Sequence, residues 1–192
     1  MEIQEAGLEG LTSLAAVPTA FEVRSVLRVE LLDRGLAGFR LHEEPVGTPY
    51  LKDYDAYEDG GPESWLAQFD MRQWGVVLAW EGRQCVGGAV VAFDTPGVNM
   101  LEARRDLAVL WDIRVHPELR RQGLGSRLFQ AAAEWARQRG CRQLKVETQN
   151  VNVPACRFYV RQGCELGAIN RYGYAGIPHV AHEAMLLWYL DL

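Results

Sequence analysis

The stretch from Leu107 to Gly125, LAVLWDIRVHPELRRQGLG, decides which fold the chain can adopt. Its first half, up to Val115, is an apolar and β-branched run, which predicts a buried strand. A His-Pro pair, the arginines Arg120 and Arg121 and two glycines follow, and then a helical pattern begins. Glycine lets a backbone turn and approach a ligand closely, and the N-terminal end of a helix favours phosphate. The order of strand, glycine loop and helix therefore predicts an anion-binding site.

Length and composition describe an ordinary globular chain. The 192 residues suit one domain spanning 1–192, which is long enough to bury about 70% of the surface that the unfolded chain exposes. Hydrophobic residues make up 48% of the chain and charged residues 23%. No apolar run is long enough to cross a bilayer, and the start does not resemble a signal peptide. We therefore expect a cytoplasmic protein with no membrane partner.

Charge and cysteine spacing argue against several other classes of protein. The formal net charge of −5 disfavours nucleic acid as the main partner and favours cationic ligands, although a local basic patch can still hold an anion. His179 and His182 lie three residues apart without a clear acidic or cysteine ligand set, so we expect no metal. The cysteines have neither metal-ligand nor redox spacing and are expected to be buried and reduced, namely Cys85, Cys141, Cys156 and Cys164.

Hydrophobic periodicity predicts a hairpin near the start of the chain. Apolar and polar residues alternate from Phe21 to Leu31, which is typical of a half-buried strand. A weaker strand from Leu36 to Glu43 would complete the hairpin. The first twenty residues or so are expected to form a loose lead-in.

The remaining pattern surrounds the glycine loop with strands and helices. A bulge is expected at the Gly87-Gly88 pair, and Asn152 is placed to cap a helix. The sum is a mixed sheet with helices and a central strand–helix–strand crossover, without repeats or a domain linker. The predicted strands are Trp74 to Trp80, Gln84 to Phe93, Arg142 to Thr148, Cys164 to Asn170 and Glu183 to Tyr189, and the predicted helices are Glu63 to Asp70, Leu124 to Arg139 and Val153 to Gln162.

The segment from Pro45 to Pro62 concentrates acidic and aromatic side chains. It contains three tyrosines and four carboxylates, and only Lys52 opposes their charge. Carboxylates and aromatic faces suit a cation, so the segment is a candidate site for a positively charged substrate. The alternative is a solvated loop whose tyrosines pack on the core. The candidate substrate-binding residues are Tyr50, Asp53, Tyr54, Asp55 and Glu58.

Two other phosphate-binding loops do not fit the glycine loop. A dinucleotide loop requires Gly-x-Gly-x-x-Gly, but Leu128 stands at the third glycine position. A nucleoside triphosphate loop requires Gly-Lys followed by Ser or Thr, which is absent. The form present, Arg120-x-x-Gly123-x-Gly125, resembles the acetyl-CoA pyrophosphate loop of the GNAT superfamily of N-acetyltransferases. A purely structural turn is the alternative.

A second motif strengthens this resemblance. Asn152-x-x-Ala155-x-x-Phe158-Tyr159-x-x-x-Gly163 lies on the helix after the next strand and resembles the second half of the same superfamily's signature. The phrases LWDIRV and ETQNVN are most similar to the streptothricin acetyltransferase subgroup of this superfamily. Two motifs in the right order and at the right spacing make the resemblance specific.

The resemblance covers roughly Trp74 to Leu192 and implies a fold. That fold is α/β (α+β), with a largely antiparallel mixed sheet, a central parallel strand pair splayed around the CoA arm, and flanking helices. It also implies that the main chains of Ile113 and Val115 pair with the pantetheine arm and that N–H groups of the loop take the pyrophosphate. The cofactor-binding residues implied are Ile113, Val115, Arg120, Arg121, Gln122, Gly123, Leu124, Gly125, Ser126, Asn152, Phe158 and Tyr159.

The resemblance implies that Tyr159 protonates the departing thiolate. Acetyl transfer from a thioester to an amine needs a neutral amine, a polarised carbonyl and a proton for the sulfur. With reference pKa values of about 10 for tyrosine and about 8.5 for a thiol, proton transfer is uphill by only about 2 kcal/mol. The alternative for Tyr159 is a core tyrosine beside Phe158.

Two carboxylates are candidates for the general base. An alkyl ammonium with a pKa near 10 is about 99.9% protonated at neutral pH, so a group that accepts its proton would help. Asp112 on the central strand and Glu147 at the end of its neighbour are both expected near the thioester. The alternative for either is a salt bridge to Arg114 or Lys145. Glu102 is a weaker third candidate.

The sequence therefore predicts an acetyl-CoA-dependent N-acetyltransferase that acts by direct transfer on a small, cationic primary amine. A streptothricin-like antibiotic or a polyamine-like compound is the expected acceptor, which would connect the protein to antibiotic resistance. Acetyl-CoA is the expected cosubstrate, and the protein is expected to be a monomer or homodimer. Alternatives are acetylation of a protein or peptide amine, and a CoA-binding regulatory module without turnover, against which the intact Tyr159 counts.

Overall fold

The computed structural model describes residues 1–56 and 61–192. Over these residues the strands are β1 (Glu2–Ala6), β2 (Phe21–Leu31), β3 (Phe39–Lys52), β4 (Gly75–Glu81), β5 (Gln84–Ala92), β6 (Leu107–Val115), β7 (Gln143–Gln149), β8 (Glu165–Asn170) and β9 (Met185–Asp191). The α-helices are α1 (Gly10–Ala15), α2 (Pro62–Gln68), α3 (Leu124–Gln138) and α4 (Val153–Arg161).

The described residues form two compact units. The first contains Met1–Ala20, Asp53–Val146 and Leu190–Leu192, and the second contains Phe21–Lys52 and Glu147–Tyr189. Strands β7 and β9 each have residues in both units. That residues 1–192 form one domain stays a prediction.

The sheet of the first unit has the strand order β1, β4, β5, β6, β7. Each of the first four strands in this order is antiparallel to the next one of the four. Strands β6 and β7 are instead parallel, from Leu107↔Gln143 to Leu110↔Val146. Among the strands of the described residues, the pairing is thus mostly antiparallel and includes one parallel pair, β6 with β7. The predicted fold class, including the flanking helices, is confirmed.

Two irregularities shape this sheet. An extra β5 residue, Val86, stands beside the Gly87-Gly88 pair, where the sequence predicted a bulge. A second shift makes Trp111 the extra residue on β6. Its indole packs against Phe69 and Trp74, with ring centroids 5.0 and 5.1 Å away. This aromatic packing supports the bulge from one side of the sheet.

Helix α3 packs on β4, β5 and β6 through the face that its sequence predicts. Leu128, Ala132 and Trp135 are all buried. A Cβ at Gly75 would lie 2.3 Å from the Trp135 ring, so only glycine lets the helix and sheet approach so closely. The helix ends before Gly140, whose positive φ of 79° suits a helix terminus.

The prediction of a loose lead-in over the first twenty residues is wrong. Strand β1 pairs antiparallel with β4, and Leu11 and Leu14 of α1 are buried in the core. Glu5 of β1 also accepts a hydrogen bond of 2.9 Å from Trp135 Nε1. The sequence EIQEA is mostly polar because an edge strand needs little apolar surface, so hydrophobic periodicity did not reveal it.

The second unit contains a long hairpin of β2 and β3 and the antiparallel pair β8 and β9. Strand β2 has the predicted bounds, but β3 extends to Lys52, so the loop predicted to begin at Pro45 starts in the strand. Prolines at 45 and 49 weakened the strand pattern; a two-stranded hairpin tolerates them because its outer edges need no ladder partner. Asn150 fixes β2 by two hydrogen bonds of 2.9 Å with the backbone of Leu27.

A buried ion pair lies inside the second unit. Lys52 Nζ donates hydrogen bonds of 2.5 and 2.6 Å to the two carboxylate oxygens of Glu183. Their side chains are only 4% and 3% exposed. Burial outweighs this partner and lowers the pKa of Lys52 below its ordinary value. Removing either partner would therefore leave the other one buried without its counter-charge. The remaining charge would then have to be neutralised or hydrated.

We predict that Lys52→Met lowers the free energy of unfolding by about 3–5 kcal/mol, because Glu183 loses its buried cation. Asp70→Asn is the matched control, since it breaks the exposed pair with Arg72 and should leave unfolding almost unchanged. Urea denaturation of both variants measures the difference. Equal losses in the two variants would show that the buried pair has no special weight.

Candidate active site

The backbone of β6 presents one edge away from β5. His116 N–H donates to the Val86 carbonyl at 2.8 Å, which makes these residues a hydrogen-bonded pair. Antiparallel pairing alternates, so the N–H and C=O groups of Ile113 and Val115 point away from β5. The parallel ladder to β7 covers only the residues up to Leu110. The two residues that the resemblance assigned to the pantetheine arm therefore have the backbone orientation that this role requires.

The loop after β6 has the geometry of an anion site at a helix start. Arg121 and Gly123 have positive φ angles of 63° and 86°. Gly123 is the residue that precedes α3, and it has no side chain to cap the first turn, which contains Leu124, Gly125 and Ser126. Such a turn directs backbone N–H groups outward, where they favour phosphate. Gln122 stabilises the loop by a 2.8 Å hydrogen bond to the Glu118 carbonyl.

Arg120 connects the loop to the end of the segment before β2. Its guanidinium donates to the carbonyls of Val115 at 3.0 Å, Ala20 at 3.0 Å and Pro18 at 3.2 Å. Burial lowers the pKa of Arg120 below its ordinary value. These contacts indicate that Arg120 holds the loop in place, and its expected part in cofactor binding stays a prediction.

A buried guanidinium binds two of the carboxylates singled out in the sequence, and Thr19 links a third carboxylate to them. Arg114, with a side chain 1% exposed, donates to both Asp112 oxygens at 2.9 and 2.8 Å. It also donates to both Asp55 oxygens at 3.1 and 3.2 Å and to the Val17 carbonyl at 3.0 Å. Thr19 Oγ1 is 2.9 Å from Asp55 and 3.1 Å from Asp53. Residues predicted for separate roles thus form one cluster.

The charge balance of this Arg114 cluster has two consequences. Burial alone would lower the pKa of Arg114, but Asp112 and Asp55 outweigh it and raise the pKa above its ordinary value. Counted as ionised, Asp112, Asp55 and Asp53 together with the one guanidinium give the cluster about two net negative charges. It can attract a cation, yet Asp112 and Asp55 are engaged with Arg114. The predicted alternative for Asp112, a salt bridge to Arg114, is present.

The second motif forms part of the second unit. Asn152 caps α4, its side-chain oxygen accepting from the Ala155 N–H at 3.2 Å, as the sequence predicted. Tyr159 is buried on this helix, and its ring meets that of Phe158 edge-on with centroids 5.2 Å apart. Glu147 at the end of β7 accepts a 2.5 Å hydrogen bond from the Tyr174 hydroxyl. The catalytic roles of Tyr159 and Glu147 stay predictions.

Several other expectations have a defined structural outcome. Lys145 pairs with Glu102 at 2.6 Å and donates to the Met100 carbonyl, which gives the third base candidate a cationic partner. Tyr50 lies exposed on β3, and Tyr54 lies half-buried in the turn after it. Glu58 of the acidic segment is outside the described residues, as are Tyr57 and Asp59.

The structure shows the state of the four cysteines and the arrangement of potential metal ligands among the described residues. All four cysteines are free and buried, and burial raises the pKa of Cys156 and Cys164 to about 11. Within 1–56 and 61–192, no group of three or more His, Cys, Asp or Glu side chains is arranged to hold a metal ion. In the same residues, no helix has both the length and the apolar character needed to cross a membrane.

Sequence reasoning named Arg114 only as an alternative partner for Asp112, and it missed Thr19 and Tyr174. Arg114 lies two positions from Asp112 on one strand, so their shared face was an available indication of pairing. Thr19 and Tyr174 are 36 and 27 residues from the carboxylates they contact. No local pattern links such distant positions, and only the tertiary structure reveals them.

Strand β6, the glycine loop and α3 follow one another, and part of the β6 backbone points away from β5. This arrangement defines a domain suited to an acyl-CoA. The chain belongs to the acetyltransferase (GNAT) family, whose model matches residues 40–164. It is an acetyl-CoA-dependent N-acetyltransferase.

Individual relatives are similar in sequence or structure to this protein over most of its chain. It is 30% identical to the streptothricin acetyltransferase of Escherichia coli over 169 residues, which cover 88% of this chain and 84% of that protein. Identity to streptothricin acetyltransferase A of Bacillus subtilis (strain 168) is 28%, covering 77% and 76% of the two chains. The crystal structure of nourseothricin acetyltransferase superposes with a TM-score of 0.76 at 26% identity, covering 99% and 97%.

We predict that Gly123→Val weakens acetyl-CoA binding by about tenfold or more, because a branched side chain resists the left-handed backbone and approaches the phosphates. Gly97→Val is the matched control: its φ of 85° and open surroundings are nearly the same, but it lies in a loop before β6. Calorimetric titration with acetyl-CoA checks this. Equal affinity in both variants would remove the loop from the cofactor site.

Proposed function

We propose that the protein transfers the acetyl group of acetyl-CoA directly to a primary amine of a small, cationic acceptor of the streptothricin type. One observation carries this proposal: the likeness to the E. coli streptothricin acetyltransferase spans 88% of the chain. It therefore extends well beyond the cofactor motifs.

The charge of the first unit supports a cationic acceptor. The Arg114 cluster retains excess negative charge even after its internal ion pairs are counted. Asp53 is the member bonded to Thr19 rather than to Arg114, so it is the carboxylate best suited to attract an ammonium group. Long-range attraction of this kind raises the local concentration of a polycation without a specific contact.

The cofactor role of the loop follows from its backbone. N–H groups from Arg121 to Ser126 would hold the pyrophosphate, and the backbone of Ile113 and Val115 would pair with the pantetheine arm. The left-handed Gly123 and the outward edge of β6 fit these roles. When bound, acetyl-CoA supplies the activated acetyl group. Asn152 contributes by capping the N-terminus of α4, and Phe158 contributes by packing against Tyr159.

Energetics favours Glu147 over Asp112 as the base. Protonating Asp112 would weaken its two hydrogen bonds to the buried Arg114, whose remaining carboxylate partner is Asp55 at the longer distances of 3.1 and 3.2 Å. Glu147 accepts instead from the neutral hydroxyl of Tyr174. The Tyr174 hydroxyl can remain in place while Glu147 gains and releases a proton, so we assign the base to Glu147.

The proposed reaction is a direct transfer of the acetyl group from sulfur to nitrogen. The amine nitrogen attacks the thioester carbon and forms the C–N bond while Glu147 accepts the amine proton. The C–S bond breaks, and Tyr159 gives its hydroxyl proton to the thiolate of CoA. Tyr159 recovers a proton from solvent and Glu147 releases one, so the net reaction yields an amide and free CoA.

We predict that Tyr159→Phe lowers kcat by about tenfold or more while acetyl-CoA affinity and the unfolding transition stay unchanged, since general acid assistance is typically worth about 10²–10⁴. Steady-state thiol release, calorimetry and thermal unfolding measure the three quantities. Wild-type kcat across the pH range would leave Tyr159 as a core residue only.

The acceptor assignment is tested with purified protein, acetyl-CoA and streptothricin, by mass spectrometry of the product. We expect streptothricin to gain one acetyl group. Asp53→Lys should raise KM for streptothricin several-fold, less so at high salt, and leave KM for acetyl-CoA unchanged. Asp70→Lys makes the same charge change on an exposed side chain and is the control. An unmodified streptothricin would overturn this acceptor, whereas equal KM values in the two variants would remove Asp53 from its recognition.

A further inference from the structure

Tyr174 and Glu147 form a contact that neither sequence motif contains. Tyr174 is buried in the turn region between β8 and β9, and its hydroxyl donates to Glu147 Oε1 at 2.5 Å. Both residues belong to the second unit. The ring is held by its surroundings, so the position of the hydroxyl is fixed, and a fixed donor restricts the rotamers of the carboxylate.

The chemistry of this contact differs from that of an ion pair. A neutral hydroxyl that donates to a carboxylate stabilises its charged, proton-accepting form. The hydroxyl itself carries no positive charge, so it stabilises the carboxylate less strongly than a cation at the same place would. This combination of a fixed orientation and moderate stabilisation is what a general base near neutral pH requires.

We propose that Tyr174 is a positioning residue for amine deprotonation: its hydroxyl orients Glu147 and stabilises the ionised form of this carboxyl. The inference rests on the proposed function, because it takes Glu147 as the group that accepts the proton from the acceptor amine. Tyr174 keeps its own proton throughout. In the step, the proton moves from the amine nitrogen to Glu147 as the C–N bond forms.

The kinetic test compares Tyr174→Phe, Glu147→Gln and the control Tyr172→Phe, whose ring is 73% exposed. Tyr174→Phe keeps the buried ring and removes only the oxygen. We expect kcat to fall by about ten- to hundredfold. The acid limb of the kcat/KM profile should move to higher pH by about one unit, because the carboxylate loses a bond to its charged form. Glu147→Gln should abolish that limb, and Tyr172→Phe should match wild type.

A binding-independent measurement keeps the inference separate from the choice of acceptor. Carbon-13 NMR of glutamate-labelled protein follows the titration of the Glu147 carboxyl, identified by its loss in Glu147→Gln. Its midpoint should lie at higher pH in Tyr174→Phe than in wild type. Identical midpoints, or an unchanged acid limb with any amine that wild type acetylates, would overturn the role of Tyr174. Inactivity toward streptothricin with activity toward another amine would instead overturn the proposed acceptor.

Discussion

The parallel pairing of β6 with β7 ends after four residue pairs, at Leu110↔Val146, and our proposal for cofactor binding depends on this early end. Backbone N–H and C=O groups are obligatory hydrogen-bonding groups, so a strand edge that continues past its ladder must find other partners. The bulge at Trp111 and the hydrogen bond that the Arg120 guanidinium donates to the Val115 carbonyl hold β6 in this arrangement. In our proposal the cofactor's pantetheine amides complete the edge, and acetyl-CoA therefore binds where the sheet is left open.

Local features of the sequence were sufficient to predict the glycine loop, the helix that follows it and the helix cap at Asn152. The left-handed glycine at 123, the helix after it and the Asn152 cap are each set by interactions within a few residues. The apolar face of α3 follows from helical periodicity, so its packing was also predictable. For the same reason the fold class was correct: two motifs at defined spacing specify the strand–helix–strand core on which the remaining strands assemble.

Features that depend on distant contacts could not be predicted. The carboxylates at 112 and 55 are joined through Arg114, which lies 59 residues from Asp55. The acidic segment therefore supplies partners for a buried guanidinium as well as negative charge. Strand β1 was missed because an edge strand is stabilised by backbone hydrogen bonds rather than by an apolar pattern. The partner of Glu147, Tyr174, lies in a turn region whose sequence indicates only a change of direction.

Amide hydrogen exchange along β6 tests most directly whether acetyl-CoA completes this open edge. The alternation of the β5 ladder makes Arg114 a hydrogen-bonded position and Ile113 an outward one. Residue-resolved NMR with and without saturating acetyl-CoA should show Arg114 protected in both states and Ile113 protected only with the cofactor. Equal exchange of Ile113 in the two states, with acetyl-CoA bound by calorimetry, would contradict the account.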